Sequence, residues 1–367
     1  MPKQKSGALP DFMIRDLMDA SFISGASPEN IMPASLNLAV SEEIYRIEDV
    51  FQLEPGEPVA TALAEVGAIV VPSGSVLERG VNYIARLKES LKLPPDVYGY
   101  CNPRSSTGRN DVLVRVVADG SARYDAAAPA GYAGDLWIMI SPKSYSIRIK
   151  PGQPLAQLRL FTGDTRFSEL DLQIALERDG LLYRKSGQKF NYKELRVTDH
   201  DGSIILTVDL DSEVVGWECL GSSSILDLSR RDYRPEQFFR PLRCQGDRIR
   251  LEQGGFYILY TAEYVRVPPH LACEMVAMDA RSGEFRSHYA GFIDPGWGYG
   301  GGEGNGRRLV LEVRPFERII FRRKQAAAKI RFERMCEVPE KHYDHLETSS
   351  YTAENSAPRL SSHFVME

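Results

Sequence analysis

Residues Ile149–Phe161 read IKPGQPLAQLRLF, and Phe321–Glu333, displaced by 172 residues from 149 to 321, reads FRRKQAAAKIRFE. Each is a polar turn running into alternating apolar and polar positions, the period-two pattern of a half-buried strand. Two more phrases repeat in the same order. LEPGEPV (Leu53–Val59) is echoed by LEQGGFY (Leu251–Tyr257), and ASLNL (Ala34–Leu38) by SILDL (Ser224–Leu228). Three ordered echoes indicate one β-domain written twice with divergence. Between them lie short candidate strands (VYGYCNP, DVLVRVVA, GDLWIMIS) separated by turn residues, the pattern of a sandwich or barrel. FQLEPGEPV (Phe51–Val59) reads as a strand broken by a Pro-Gly turn, and residues 10–27 begin with a short helix. Residues 163–213 are polar, with one helix expected over Ser168–Glu177, and read as a connection. The expected organisation is a first β-domain over 1–165, a connecting segment over 166–213, a second β-domain over 214–337 and a tail over 338–367.

Composition narrows the function classes. An apolar share of 43 % and a charged share of 26 % are those of an ordinary soluble globular chain, and 22 Pro with 30 Gly favour strands and turns. No stretch approaches the roughly 20 apolar residues of a membrane span. MPKQKSGALPDF lacks a signal-peptide core, so a cytoplasmic location is expected. The net charge of −5 gives no general attraction to nucleic acid. The basic stretches Arg230–Arg250 and Arg322–Arg334 therefore read as solvated strand faces. Five scattered cysteines form no C-x-x-C pair, and His342 and His345 are the only close histidines. The zinc-deaminase signature is absent, so no protein-bound zinc is expected.

Two segments carry chemistry. In NPRSSTGRNDV (Asn102–Val112), Arg104, Ser105, Ser106 and Arg109 bring two guanidinium forks and two hydroxyls into one turn, a set suited to phosphate oxygens. From residue types alone a solvated turn is the simpler reading. In the second half, GFIDPGW (Gly291–Trp297) places Asp294 before a Pro-Gly turn, and Glu312 sits among Val310, Leu311 and Val313. A carboxylate inside such a run is costly to bury unless paired or functional, although an outward position on an edge strand stays open. The run Gly298–Gly306 has no following Lys-Ser/Thr and reads as a mobile hairpin tip rather than a phosphate loop.

Taken together, PRSSTGR, GFIDPGW…LVLEV, MPASLNL and KPGQPLAQLRLF resemble the dUTPase and dCTP deaminase superfamily over most of both halves. The resemblance implies a mainly β fold of two tandem distorted β-barrels (dUTPase-like, β-clip) with a few short helices. It also implies active sites shared between barrels, as in the homotrimers usual for the family. Glu312 in VLE favours the deaminase branch, where the matching glutamate is the general acid/base, and no glycine-rich phosphate motif follows residue 337. The halves depart from the pattern in complementary ways. The first places Met139 where glutamate is expected. In the second, the turn has decayed to AMDARSGEF (Ala277–Phe285), whose Arg281 precedes Asp294 by 13 residues, against 21 from Arg104 to Asp125. One composite site per chain follows.

By resemblance, Glu312, Ser105 and Arg109 are catalytic. Arg104, Ser106, Ala290, Asp294, Trp297, Leu311 and Tyr343 join Ser105 and Arg109 in binding substrate. The phosphates fall to Arg104 and Arg109, the base edge to backbone near Ala290, the 3′-hydroxyl to Asp294 and closure to Trp297. Magnesium is expected only as a companion of the triphosphate. In the tail Tyr343 matches a family tyrosine but Ser350 falls where lysine is expected, so a lid and simple disorder both stay open. The expected reaction is metal-independent deamination of dCTP to dUTP and ammonia in pyrimidine deoxynucleotide metabolism. The alternatives are a dUTP or dCTP pyrophosphohydrolase, a bifunctional enzyme giving dUMP, and an inactive nucleotide-binding regulator. The substrate is expected to be the only partner, with no nucleic acid or membrane. Self-association, whether dimer or trimer of chains, is left open.

Overall fold

The computed structural model describes residues 5–195, 198–287, 291–346 and 359–365. The repeat is visible as two nine-residue strands, Pro154–Thr162 and Ala326–Arg334, each hydrogen-bonded on both sides at the centre of its half. In the first half the antiparallel order is Ala126–Ala127, Val97–Pro103, Pro154–Thr162, Ser35–Ile47, Asn82–Lys92, Ala133–Pro142 and Val112–Ala118. The strand Ser35–Ile47 has a register shift between Val40 and Ile44, so its start pairs with Pro154–Thr162 and its end with Asn82–Lys92. That irregularity curls the sheet into a distorted barrel. In the second half the bent strand is cut in two. Ser203–Thr207 pairs with Ala326–Arg334, and Val214–Cys219 pairs with Tyr257–Val265.

The ladders identify which residues are equivalent, and they revise three sequence alignments. Leu36 faces Leu158 as Ile204 faces Ile330, so the counterpart of ASLNL is the SIILT strand at Ser203–Thr207, inside the segment read as a connection. SILDL instead joins the other half, where Leu226–Asp227 runs parallel to Ile147–Arg148. Phe51–Val59 forms no strand but leads into a helix at Val59–Glu65. Cys273 and Glu274 pair with Ile293 and Phe292, as Gly99 and Tyr100 pair with Ala127 and Ala126. The position equivalent to Asp294 is therefore Ala128 and not Asp125. The helix Glu169–Asp179 does form, with Ser168 and Asp171 making the reciprocal hydrogen bonds of a capping box. Among the described residues, no helix is long and apolar enough to cross a membrane.

Each half has its own core, the first around Leu36, Ile138, Leu158 and Leu160, the second around Leu206, Leu259, Leu311 and Phe332. The first core also takes in residues remote in sequence. Phe238, Phe239, Leu360 and Phe364 are all buried in it. At about 1.5–3 kcal/mol for each large apolar side chain buried, this shared packing makes the halves one unit.

Candidate active site

A pocket of about 230 Å³ is lined by both halves. From the first half come Arg104, Ser105, Ser106 and Arg109, and from the second Asp294, Trp297 and Glu312, with Tyr343 from the tail. The phosphate-type turn is a single helical turn, Ser105–Gly108, following Val97–Pro103. It is fixed by the Arg104 N–H donating to the Leu155 carbonyl (3.0 Å) and the Thr107 hydroxyl donating to the same oxygen (2.9 Å). Glu312 stands mid-strand in Arg307–Pro315, is only 2 % exposed and donates its backbone N–H to the Ser287 carbonyl at 3.1 Å. Its carboxylate lies against Gly108, where a Cβ would come within 2.5 Å of Oε2. The glycine is thus required by close approach: a side chain there would displace the carboxylate from the turn that faces it.

The first half contains the mirror position. Met139 pairs with Ile84 in the register in which Glu312 pairs with Ile258. Met139 is buried with Leu53, Val59 and Leu63, so the helix Val59–Glu65 fills the space beside it with apolar side chains. The equivalent second turn is turned outward: the Arg281 side chain is 83 % exposed and pairs with Asp279 at 2.8 Å. The structure thus brings Arg104, Ser105, Ser106, Arg109, Asp294, Trp297, Glu312 and Tyr343 together. It does not bring in Leu311, which faces the second core while its neighbours Val310 and Glu312 line the pocket. Ala290 and Ser350 lie outside the described residues.

Sequence reasoning missed Arg159. This side chain, 0 % exposed, crosses from the first half into the second. It donates to Asp294 Oδ1 (3.2 Å), Glu333 Oε2 (3.4 Å) and the carbonyls of Cys273 (3.0 Å) and Ile293 (3.4 Å), and its guanidinium lies 4.2 Å from the Phe292 ring centre. Three acids surround it. Burial pushes Asp294, Glu274 and Glu333 up, Glu333 to about 7, while Arg159 pulls each of them back down. The signal was present in LRLF, a charge within an apolar run, the same feature that marked Glu312. Asn102 adds a second tie between the halves, its amide donating to Glu274 at 3.0 Å.

The far wall is held by the tail. The Tyr343 ring lies 5.1 Å from that of Trp297, and Tyr343 N–H donates to the Pro295 carbonyl at 2.8 Å. The buried Trp297 indole N–H has no hydrogen-bond partner among the described residues. The glycine run is no loose tip: Asp344 accepts from Gly300 N–H at 2.9 Å and pairs with Arg307 at 2.9 Å, while Arg266 donates to the Gly302 carbonyl at 2.7 Å. Arg359–Val365 docks beside the turn, with Arg109 donating to the Arg359 carbonyl at 3.0 Å and Ser361 to Asn110 at 2.7 Å. Arg231, from the stretch read as a solvated strand face, also lines the pocket. No group of three metal-ligating side chains occurs among the described residues.

The family model for the N-terminal domain of 2'-deoxycytidine 5'-triphosphate deaminase matches residues 5–164, and that for its C-terminal domain matches residues 179–364. The crystal structure of 2'-deoxycytidine 5'-triphosphate deaminase from Agrobacterium tumefaciens is 34 % identical, with a TM-score of 0.82 over 91 % of this chain and 97 % of that one. The dUTPase of EIAV, at 20 % identity, aligns with 25 % of this chain and 70 % of its own, with a TM-score of 0.20. No curated protein sequence matches.

Proposed function

The chain belongs to the dCTP deaminase family, in a tandem-duplicated form, and from that premise we propose that it converts dCTP and water to dUTP and ammonia at one composite site. The observation that carries this reading is the meeting of Glu312 with the Arg104–Arg109 turn across Gly108, two sets of groups that neither half holds alone. Water attacks C4 of the base. Glu312 takes one proton from that water and delivers it to N3 as the C4–O bond forms; it then takes the proton of the new C4 hydroxyl and delivers it to the amine, so the C4–N bond breaks, the C4 carbonyl forms and ammonia leaves. In each transfer the anionic carboxylate accepts the proton and its protonated form donates it, so Glu312 ends as it began. Ser105 orients the water or the amine. Arg104 and Arg109 hold the phosphates, to which magnesium is bound as part of the substrate. Asp294 faces the 3′-hydroxyl, fixed by Arg159, while Trp297 and Tyr343 close over the sugar and base.

Ammonia release from dCTP and magnesium by the purified chain tests the reaction, and its absence would overturn it. Pyrophosphate among the products would point instead to a hydrolase of the triphosphate. Arg104→Ala is expected to raise KM for dCTP by about tenfold or more, the loss of a charge-assisted contact, while Arg281→Ala leaves both constants unchanged. The reverse pattern in steady-state kinetics breaks the composite-site assignment. Calorimetric titration is expected to find one nucleotide per chain, since apolar side chains occupy the space beside Met139. Two equivalent sites would refute it.

A further inference from the structure

We infer that Asp111 and Arg314 form a positioning pair for Glu312, holding the phosphate-type turn against the strand that carries Glu312 and balancing the cation that stands beside the reacting carboxylate. The inference rests on the deaminase reading, in which Glu312 moves the protons. In the strand Arg307–Pro315 the side chains alternate. Leu309, Leu311 and Val313 enter the second core, whereas Val310, Glu312 and Arg314 face the first half. Glu312 meets Gly108 and Arg314 meets Asp111, so the same two segments touch at two rungs. Two residues of strand place Arg314 about 7 Å along from Glu312, near enough for its charge to act on the carboxylate. The mirror strand of the first half carries Met139 and Ser141 at these two places, so the cation occurs where the carboxylate does.

Asp111 ends the turn: its N–H donates to the Gly108 carbonyl at 2.9 Å, and its φ of 53° is left-handed. Glycine takes that conformation freely and aspartate tolerates it, so what the aspartate adds is its carboxylate. That group is fully buried and would be costly there without partners. Its Oδ2 accepts from Arg314 Nη2 and from the Ser144 hydroxyl. The guanidinium of Arg314 is fixed on its other side too, with Nη1 donating to the Gly254 carbonyl and the Phe256 ring centre 5.9 Å away. The Lys143 N–H donates to the Asp111 carbonyl at 3.0 Å, so backbone and side chain both hold the residue. The charge of the pair reaches its neighbours: burial first, and Arg314 next, push the Lys143 ammonium below its usual range, against the pull of Asp111. Arg286 stands opposite Arg314 in the ladder, and Arg115, Cys219 and Tyr145 also lie within range of this cluster. Facing Glu312 across the pocket are Arg104, Arg109, Arg231, Asp294 and Tyr343. All of these stay in place when Asp111 alone is altered, so the difference reads the pair.

The test follows ammonia release from dCTP and magnesium by the full chain across pH, with dCTP stoichiometry from calorimetry. Asp111→Asn keeps the shape and the left-handed backbone but leaves Arg314 unbalanced beside Glu312. Its kcat is expected to fall about three- to tenfold with KM within about twofold, and the number of dCTP bound per chain unchanged. The acid limb of kcat, where Glu312 takes up a proton, should move down by about half to one pH unit, since an unbalanced cation favours the carboxylate. Asp111→Asn combined with Arg314→Gln strands no charge and should return the limb to the parent's position. Arg314→Gln alone, which leaves the anion, should move the limb up, and carries the test should Asp111→Asn not fold. A limb unmoved in the single variants overturns the inference, as does a shift that persists in the double variant or a loss that falls on KM instead of kcat. A parent that releases no ammonia sinks the deaminase reading and the role of the pair with it. An active parent whose limb ignores Asp111 sinks the pair alone.

Discussion

Glu312→Gln is expected to lower kcat for ammonia release by about 100- to 10,000-fold while dCTP binding stays within a few-fold of the parent. The amide keeps the shape of the side chain and its place against Gly108, but it cannot take a proton from water. The arginines, serines and Asp294 are untouched, so the ground-state contacts remain and the loss falls on the chemical step. Steady-state kinetics with calorimetry read both quantities. Retained turnover removes Glu312 from the mechanism, and a loss of binding equal to the loss of turnover assigns it to holding the substrate instead.

Arg159→Met is expected to cost about 3–5 kcal/mol of folding stability, because it leaves buried carboxyls without their counter-charge. Asp294, Glu274 and Glu333 are each drawn down by this one guanidinium against the upward push of burial. The pH dependence has a definite sign. With its ordinary value at 4.5 and its folded value at about 7, Glu333 carries a proton in the folded chain that the unfolded chain releases. Its contribution to stability is full below 4.5 and is lost as pH rises through about 7. Removing Arg159 raises that value further, so the deficit of the variant should widen from pH 5 to pH 8. Denaturant midpoints across that range measure it, and a deficit that shrinks with pH contradicts the assignment. Arg159→Met with Asp294→Asn should cost less than the sum of the two single changes, since the second removes a charge the first strands.

Much of this was legible in the sequence. The displacement of 172 residues between the central strands is that of Pro154–Thr162 and Ala326–Arg334. The complementary losses at Met139 and at Ala277–Phe285 coincide with a buried apolar cluster and an outward-facing turn. What misled was local similarity without pairing information. SILDL and SIILT both place apolar residues directly after a serine, and only the ladder shows that the latter faces Ile330. Asp125 was matched to Asp294 by residue type, whereas register matches Ala128. Arg231 was hidden in a stretch rich in arginine, because composition does not say which guanidinium lies at a pocket wall.

The helix Val59–Glu65, by filling the place beside Met139, also bears on how the protein responds to substrate concentration. On the one-site reading proposed above, the chain has no second site for the first to influence. Saturation of an isolated chain is therefore hyperbolic. A Hill coefficient above one becomes a report on contact between chains, since cooperativity that the duplicated fold discarded internally can return only through association.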